Sequence, residues 1–318
     1  MMPILVSPRD LASLPGPRVI IDTRDPAAYA AGHIPGAVNI RDIFTYLATS
    51  DPAGLTDLAT RFAALFGAAG LSGAETAVIY EDAMNTGYGQ SCRGYFLLRS
   101  LGYGRVHVLH GGYRAWLQAS LPVSVDAPPV KPQVFPLRPA FETFMATKEE
   151  VLAALSRPEV AILDVRDRDE WEGASSSPYG VDFCPRKGRL PGAVWIEWYR
   201  LMEEREGAIA WFRPAAEIRA ACAEVGITPD SEVIVYCFKG ARASNALVAL
   251  HEAGIARVRV YFGSWNEWSR DATLPIVPGI AASPPSSGTA TLRATAASAK
   301  PLGWLPLPVM LIWTARWP

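Results

Sequence analysis

The sequence predicts an α/β protein built twice, as two consecutive units that are each a mostly parallel sheet flanked by helices. Three observations carry this expectation. Long blocks recur in the same order, β-branched runs alternate with helix-like stretches inside each copy, and a proline-rich segment separates the copies.

The recurrence is direct. "VIIDTRDPAAYAAGHIPGAVNI" at 19–40 returns as "AILDVRDRDEWEG…GRLPGAVWI" across 161–196, and "TAVIYE" ending at Glu81 returns as "EVIVYC" ending at Cys237. "GYGRVHVLHGGYRAW" at 102–116 returns as "GIARVRVYFGSWNEW" at 254–268. Blocks about a domain length apart mark a duplicated domain, not a solenoid of short repeats.

Within the first copy, "RVIID", "AVIYE" and "RVHVL" read as strands. Within the second, "AILDV", "VIVYC" and "RVRVY" do the same. The stretches "RPAAEIRAACAEVG" and "ARASNALVALHEAG" read as helices that close on a glycine C-cap. Strands alternating with helices imply parallel pairing with both sheet faces covered. The segment 122–139 holds six prolines, which stiffen a connection and end a sheet. The expected organisation is therefore a first domain at 1–121, a linker at 122–140, a second domain at 141–278 and a low-complexity tail at 279–318.

Composition narrows the function. A net charge of −1 over 318 residues gives no global attraction to nucleic acid or an anionic membrane. The four cysteines show neither CxxC nor Cys/His metal spacing and do not form a disulfide framework, so no metal and a reducing, cytoplasmic compartment are expected. The opening "MMPILVSPRD" lacks the pattern of a signal peptide. The most apolar stretch, 303–318, is short and broken by Pro306 and Pro308, so no membrane span is expected.

The chemistry concentrates at "CFKGAR", Cys237 to Arg242. Ligands of parallel sheets gather at the carboxyl ends of strands, and Cys237 lies at one such end. A helix beginning near Ala241 turns its free N–H groups and positive dipole end toward the sulfur. Gly240 lets the backbone curl into an anion cradle, and Lys239 and Arg242 add positive charge. All of these favour thiolate over thiol. A small buried cysteine at a strand end is the simpler alternative, and it suits Cys222 and Cys92. For Cys237 it leaves Lys239, Gly240 and Arg242 unexplained.

These blocks, the Cys-x-x-Gly-x-Arg loop and "GSWNEW" together resemble the tandem-domain rhodaneses, the thiosulfate sulfurtransferases, over residues 5–275. The resemblance implies a rhodanese fold in each half and a cysteine persulfide on Cys237, with Lys239, Gly240 and Arg242 around the substrate anion. It implies a small-molecule sulfur donor, thiosulfate, and an acceptor that is cyanide or a thiol. It implies no cofactor. A monomer is expected because the duplicated chain already supplies a pseudo-dimer.

Some positions depart from the family. Arg189 stands where histidine is frequent, after the insertion "ASSSPYGVDFCPRK". Arg186, Lys187 and Arg189 either extend a cationic rim, which makes Arg189 a substrate-binding candidate, or solvate a loop. Cys184 reads as an incidental thiol, and Ser244 as a possible stand-in for the hydroxyl that Ala243 lacks. Asp22/Arg24 and Asp164/Arg166 read as structural ion pairs, and the four histidines as structural. In the first copy Glu81 replaces the cysteine, so that half is expected to have neither nucleophile nor cradle and to serve as a wall of an interdomain cleft.

Two rival readings stay open. A phosphatase of related fold resembles this chain but has a loop one residue longer. A non-catalytic rhodanese-like module would bind or sense a partner. The basic loop favours thiosulfate over mercaptopyruvate, the alternative donor. It predicts that alanine at Lys239 or Arg242 costs on the order of 1–3 kcal/mol of transition-state stabilisation, less at high salt if the charges are exposed.

Overall fold

A computed structural model describes residues 3–279. The expected tail at 279–318 lies, but for its first residue, outside the described residues.

The first half contains β1 (Leu5–Val6), β2 (Arg18–Asp22), β3 (Ala37–Asn39), β4 (Thr76–Tyr80) and β5 (Val106–Leu109). Its helices are α1 (Pro8–Ala12), α2 (Pro26–Ala31), α3 (Asp42–Thr45), α4 (Pro52–Ala68), α5 (Gln90–Ser100) and α6 (Gly112–Gln118). The second half contains β6 (Met145–Ala146), β7 (Val160–Asp164), β8 (Val194–Trp195), β9 (Met202–Arg205), β10 (Ile209–Phe212), β11 (Glu232–Tyr236) and β12 (Val258–Tyr261). Its helices are α7 (Phe141–Phe144), α8 (Lys148–Ala154), α9 (Arg168–Trp171), α10 (Ala215–Ala223), α11 (Ala241–Glu252) and α12 (Ser264–Trp268).

The two sheets have one topology. The first runs β1-β5-β4-β2-β3 and the second β6-β12-β11-β7-β8, and every pairing in both is parallel. The β9–β10 hairpin, antiparallel and specific to the second half, carries no signal in the repeat.

Strand periodicity sorts side chains between two cores. Ile21, Ala77 and Ile79 point to one face of the first sheet, and Leu163, Val233 and Val235 to one face of the second; all join one central cluster. Ile20, Val78 and Tyr80, and likewise Ile162, Ile234 and Tyr236, fill separate outer cores. Phe96 of α5 meets Phe262 across the halves, ring centroids 4.9 Å apart. Gly89, the residue before α5, has φ 77°, and a Cβ there would lie 2.8 Å from the carbonyl oxygen of Ala241. The two helix starts therefore approach backbone to backbone.

The proline-rich segment is strapped to the first half. Gln133 N–H donates to Gly67 and Arg138 N–H to Leu101, while Phe135 is buried against Phe66 and Tyr103. No described helix is long and apolar enough to cross a membrane.

Candidate active site

The turn after β2 and after β7 is held the same way. Arg24 donates to Asp22 and to the Gly32 carbonyl, and Arg166 to Asp164 and the Gly188 carbonyl. Tyr80 and Tyr236 donate to the same aspartates. Both pairs are buried structural elements, as the sequence predicts.

Cys237 follows β11 directly, and α11 begins at Ala241 behind an N-cap glycine. Gly240 has φ 86°, and a Cβ would lie 2.5 Å from the Phe262 ring, so glycine is required twice over. The curled backbone brings Gly240 N–H to the sulfur at 3.2 Å. The other side of the loop is pinned by α12. Trp265 N–H donates to the Cys237 carbonyl, Asn266 N–H to that of Phe238, and Cys237 N–H to Ser264 Oγ. That is the local work of "GSWNEW". Ser244 donates its hydroxyl to the Gly240 carbonyl, fastening the loop to α11.

The cations divide into two groups. Arg242 is buried and forks onto Glu170, with contacts of 2.6 and 3.0 Å, and pairs with Asp167 at 2.9 Å. Burial works against its charge, but the Glu170 carboxylate outweighs burial and holds the guanidinium above its ordinary pKa. Asp167, Asp169 and Glu170 converge closely enough to hold a cation, and Arg242 fills that role for Asp167 and Glu170. The expectation that Arg242 offers a free charge to substrate is thereby corrected.

Lys239 differs. Its ammonium sits 3.8 Å from the centre of the Phe44 ring, and Arg41 lies 4.8 Å from the same ring. Arg93 of α5 donates to the Phe44 and Tyr46 carbonyls and stacks 4.7 Å from the Phe262 ring, the ring that packs on Gly240. Among the described residues, no carboxylate comes within 4.0 Å of Arg41, Arg93 or Lys239. Burial first, and repulsion from Arg93 and Arg41 next, push Lys239 down to about 7. From the first half, Phe44 meets Lys239 of the loop with Arg41 on the same ring, and Arg93 meets Phe262.

Residues 7–119, and again 147–271, match the Rhodanese-like domain family. The chain belongs to that family. It is 31% identical over 279 residues to the thiosulfate sulfurtransferase of Azotobacter vinelandii, covering 86% of this chain and 97% of that protein. It is 31% identical over 277 residues to the thiosulfate sulfurtransferase of Pseudomonas aeruginosa, with the same coverage. Among solved structures it resembles the anaerobic ergothioneine biosynthesis enzyme of Chlorobium limicola in complex with trimethyl histidine. That match has a TM-score of 0.73 and 26% identity over 87% of this chain and 70% of the other. An EanB variant with ergothioneine covalently linked to a persulfide cysteine matches with TM-score 0.73 and 25% identity over the same shares.

The remaining positions of this rhodanese chain separate cleanly. Arg189 lies 4.4 Å from the Trp171 ring, donates to the Trp171 carbonyl and bridges to Val277, so its described contacts do not touch the cysteine loop. Its reading as a substrate-binding residue is corrected: an aromatic partner outside the loop claims the guanidinium. Arg186 spends its donors on the backbone carbonyls of Trp268, Ser269, Asp271 and Leu274, and Lys187 donates to that of Ala174. The insertion itself reaches the loop through Tyr179, whose ring is 5.2 Å from that of Phe238.

Burial pushes Cys222 up to about 11 and raises Cys92 and Cys184, which keeps these three as thiols. In the first half the expected absence of a cradle is corrected. Glu81 is wholly buried and accepts from Gln90 N–H, Ser91 N–H and Ser91 Oγ, so its own carboxylate fills the start of α5. Burial pushes that carboxyl up to about 8 against the pull of these donors.

Sequence reasoning missed Arg41, Arg93 and Glu170. One signal was available. "CRGYFLL" at 92–98 places Arg93 inside a stretch that is otherwise apolar or small, and a charge there needs a reason.

Proposed function

We propose that this chain is a thiosulfate sulfurtransferase whose sulfur carrier is Cys237. The observation that carries the reading is a cysteine at a strand end, with Gly240 N–H on its sulfur and Lys239, unpaired by any described acid, in the same loop. The names of the curated relatives support the same class. The catalytic unit in this reading is 141–278, and 1–121 is the unit without a nucleophile.

In the first step the Cys237 thiolate attacks the outer sulfur of thiosulfate. The new S–S bond forms as the bond to the sulfonate sulfur breaks, and sulfite leaves with the electron pair. Cys–S⁻ and S₂O₃²⁻ become Cys–S–S⁻ and SO₃²⁻, with charge conserved. Nucleophile and donor repel, so nearby cations and the Gly240 N–H must offset that repulsion as the anions meet. In the second step cyanide or a thiolate takes the terminal sulfur and returns Cys237 as thiolate. The donor assignment also rests on charge: mercaptopyruvate carries one carboxylate, which a surplus of cations suits less well than a dianion.

The test is intact mass after incubation with thiosulfate. The wild-type protein should gain one sulfur atom, and Cys237→Ser should gain none and lose turnover while remaining folded. Serine at Cys92, Cys184 or Cys222 should leave substantial activity. Sulfur loading on Cys237→Ser, or a kcat/KM higher with mercaptopyruvate than with thiosulfate, would overturn the carrier or the donor respectively.

A further inference from the structure

The half without a nucleophile holds two of the charges that face the one with it. We propose that Arg93 and Arg41 set the anion selectivity of the Cys237 site, making it select doubly charged sulfur donors. This rests on the reading of Cys237 as sulfur carrier.

Three facts converge. First, Arg93 is fully buried, yet its described partners are two neutral carbonyls, and its Nε–H has no acceptor. Removing a guanidinium from water costs several kcal/mol unless an anion compensates it. Second, Arg41 follows the same pattern, donating to the Thr23 carbonyl and the Gln90 side-chain oxygen. Third, Phe44 gathers the whole set: its ring takes Lys239 and Arg41, and its carbonyl takes Arg93. Arg93 also reaches the cysteine loop through Phe262, which packs on Gly240.

The charge count follows. Arg242 is matched by Glu170 and Asp167, so the uncompensated cations are Lys239, Arg41 and Arg93. Below about pH 7, where Lys239 is charged, one thiolate leaves a surplus of two that a dianion completes and a monoanion does not; above it Arg41 and Arg93 keep the net charge positive. A purely structural role is the competing account of Arg93, because the Phe44 and Tyr46 carbonyls belong to the open end of α3. That role needs donors. It does not need a buried charge.

The test uses the full chain and two small alkylating probes of Cys237, iodoacetate, which is anionic, and iodoacetamide, which is neutral, with the modified peptide identified by mass. The ratio of their rates reads local charge and is insensitive to loss of packing. Arg93→Met should lower the iodoacetate-to-iodoacetamide ratio by about tenfold, and Arg93→Lys should keep most of it. If Arg93→Met does not fold, Arg41→Met, at a residue that is only half-buried, carries the same test with a loss of about threefold or more. In parallel, the persulfide-loading rate from thiosulfate should fall more than that from a monoanionic thiosulfonate. An unchanged probe ratio in folded Arg93→Met, or in Arg41→Met where Arg93→Met is unfolded, would overturn the proposal. Failure of the sulfur-carrier reading is seen separately, as sulfur loading on Cys237→Ser.

Discussion

Lys239 carries its charge over the face of Phe44, and burial first, then repulsion from Arg93 and Arg41, works against that charge. Its ammonium is pushed down to about 7, so it is charged below that pH and neutral above it. A group that helps only when protonated produces a falling alkaline limb. In the pH profile of kcat/KM with thiosulfate, we expect a descent near pH 7 that Lys239→Met abolishes. The variant should be about tenfold slower near about pH 6 and converge on wild type near about pH 9. Lys239→Arg should move the limb to higher pH, since arginine stays charged. Arg242 belongs to a different accounting. Its forked pair with Glu170 is buried, so removing one partner strands the other charge. Arg242→Ala should lower unfolding free energy by about 3–5 kcal/mol in urea titrations, and salt should change its activity deficit little. A stable Arg242→Ala whose deficit vanishes with salt would return Arg242 to the role of an exposed substrate cation.

At the scale of elements, the site depends on how closely α5 and α11 begin. Gly89 has φ 77° and its missing Cβ would stand 2.8 Å from both the Ala241 carbonyl oxygen and Asn245 Cβ. Alanine there adds backbone strain and forces two helix starts apart, an overpacking cost of about 1–3 kcal/mol. We expect Gly89→Ala to lower the unfolding free energy in urea titrations by that amount and to reduce activity, because Arg93 lies one helical turn into α5. Full activity with unchanged stability would mean that the approach of the helices is not required. The repeated α6 and α12 starts show a related economy. Tyr113 and Arg114 N–H bind the Glu81 and Asp82 carbonyls as Trp265 and Asn266 N–H bind those of Cys237 and Phe238. One scaffold holds a cysteine in one copy and a self-capped carboxyl group in the other.

Across the molecule, the halves share a core. Leu97 and Phe96 of the first half and Val235, Leu247 and Phe262 of the second belong to one apolar cluster. Polar links add to it: Phe212 N–H donates to His110 Nε2, Ile4 N–H to Glu252, and Ser50 to Glu267. Neither half has its central face covered without the other. Heating should therefore give one cooperative transition, with far-UV and near-UV signals coincident and the calorimetric enthalpy equal to the van't Hoff value. Two resolved transitions would show that each half is stable by itself. His110 accepts through Nε2, and burial pushes it down to about 4, so this link survives mildly acidic conditions.

Much of this protein was legible in the residues alone, because its signals are local. Blocks repeated at domain spacing, β-branched runs and glycine caps determined two parallel-sheet units. A cysteine between a strand and a helix, with Gly240 three residues on, marked the loop to which the chemistry is assigned in the proposed function. Other matters rest on partners far away along the chain. Glu170 neutralises Arg242 from 72 residues upstream. Asn245 of α11 lies 153 residues from Cys92 of α5, within hydrogen-bonding range of its sulfur. Arg189 and Arg242 look equally basic in sequence, and only packing gives one an indole and the other a carboxylate. Charge type is a property of a residue, but net potential is a sum over space. The tertiary structure alone therefore decided that Arg41, Arg93 and Lys239 remain without a described acidic partner around Phe44 and the cysteine loop, while Arg242, the arginine next along the chain from the cysteine, is paired.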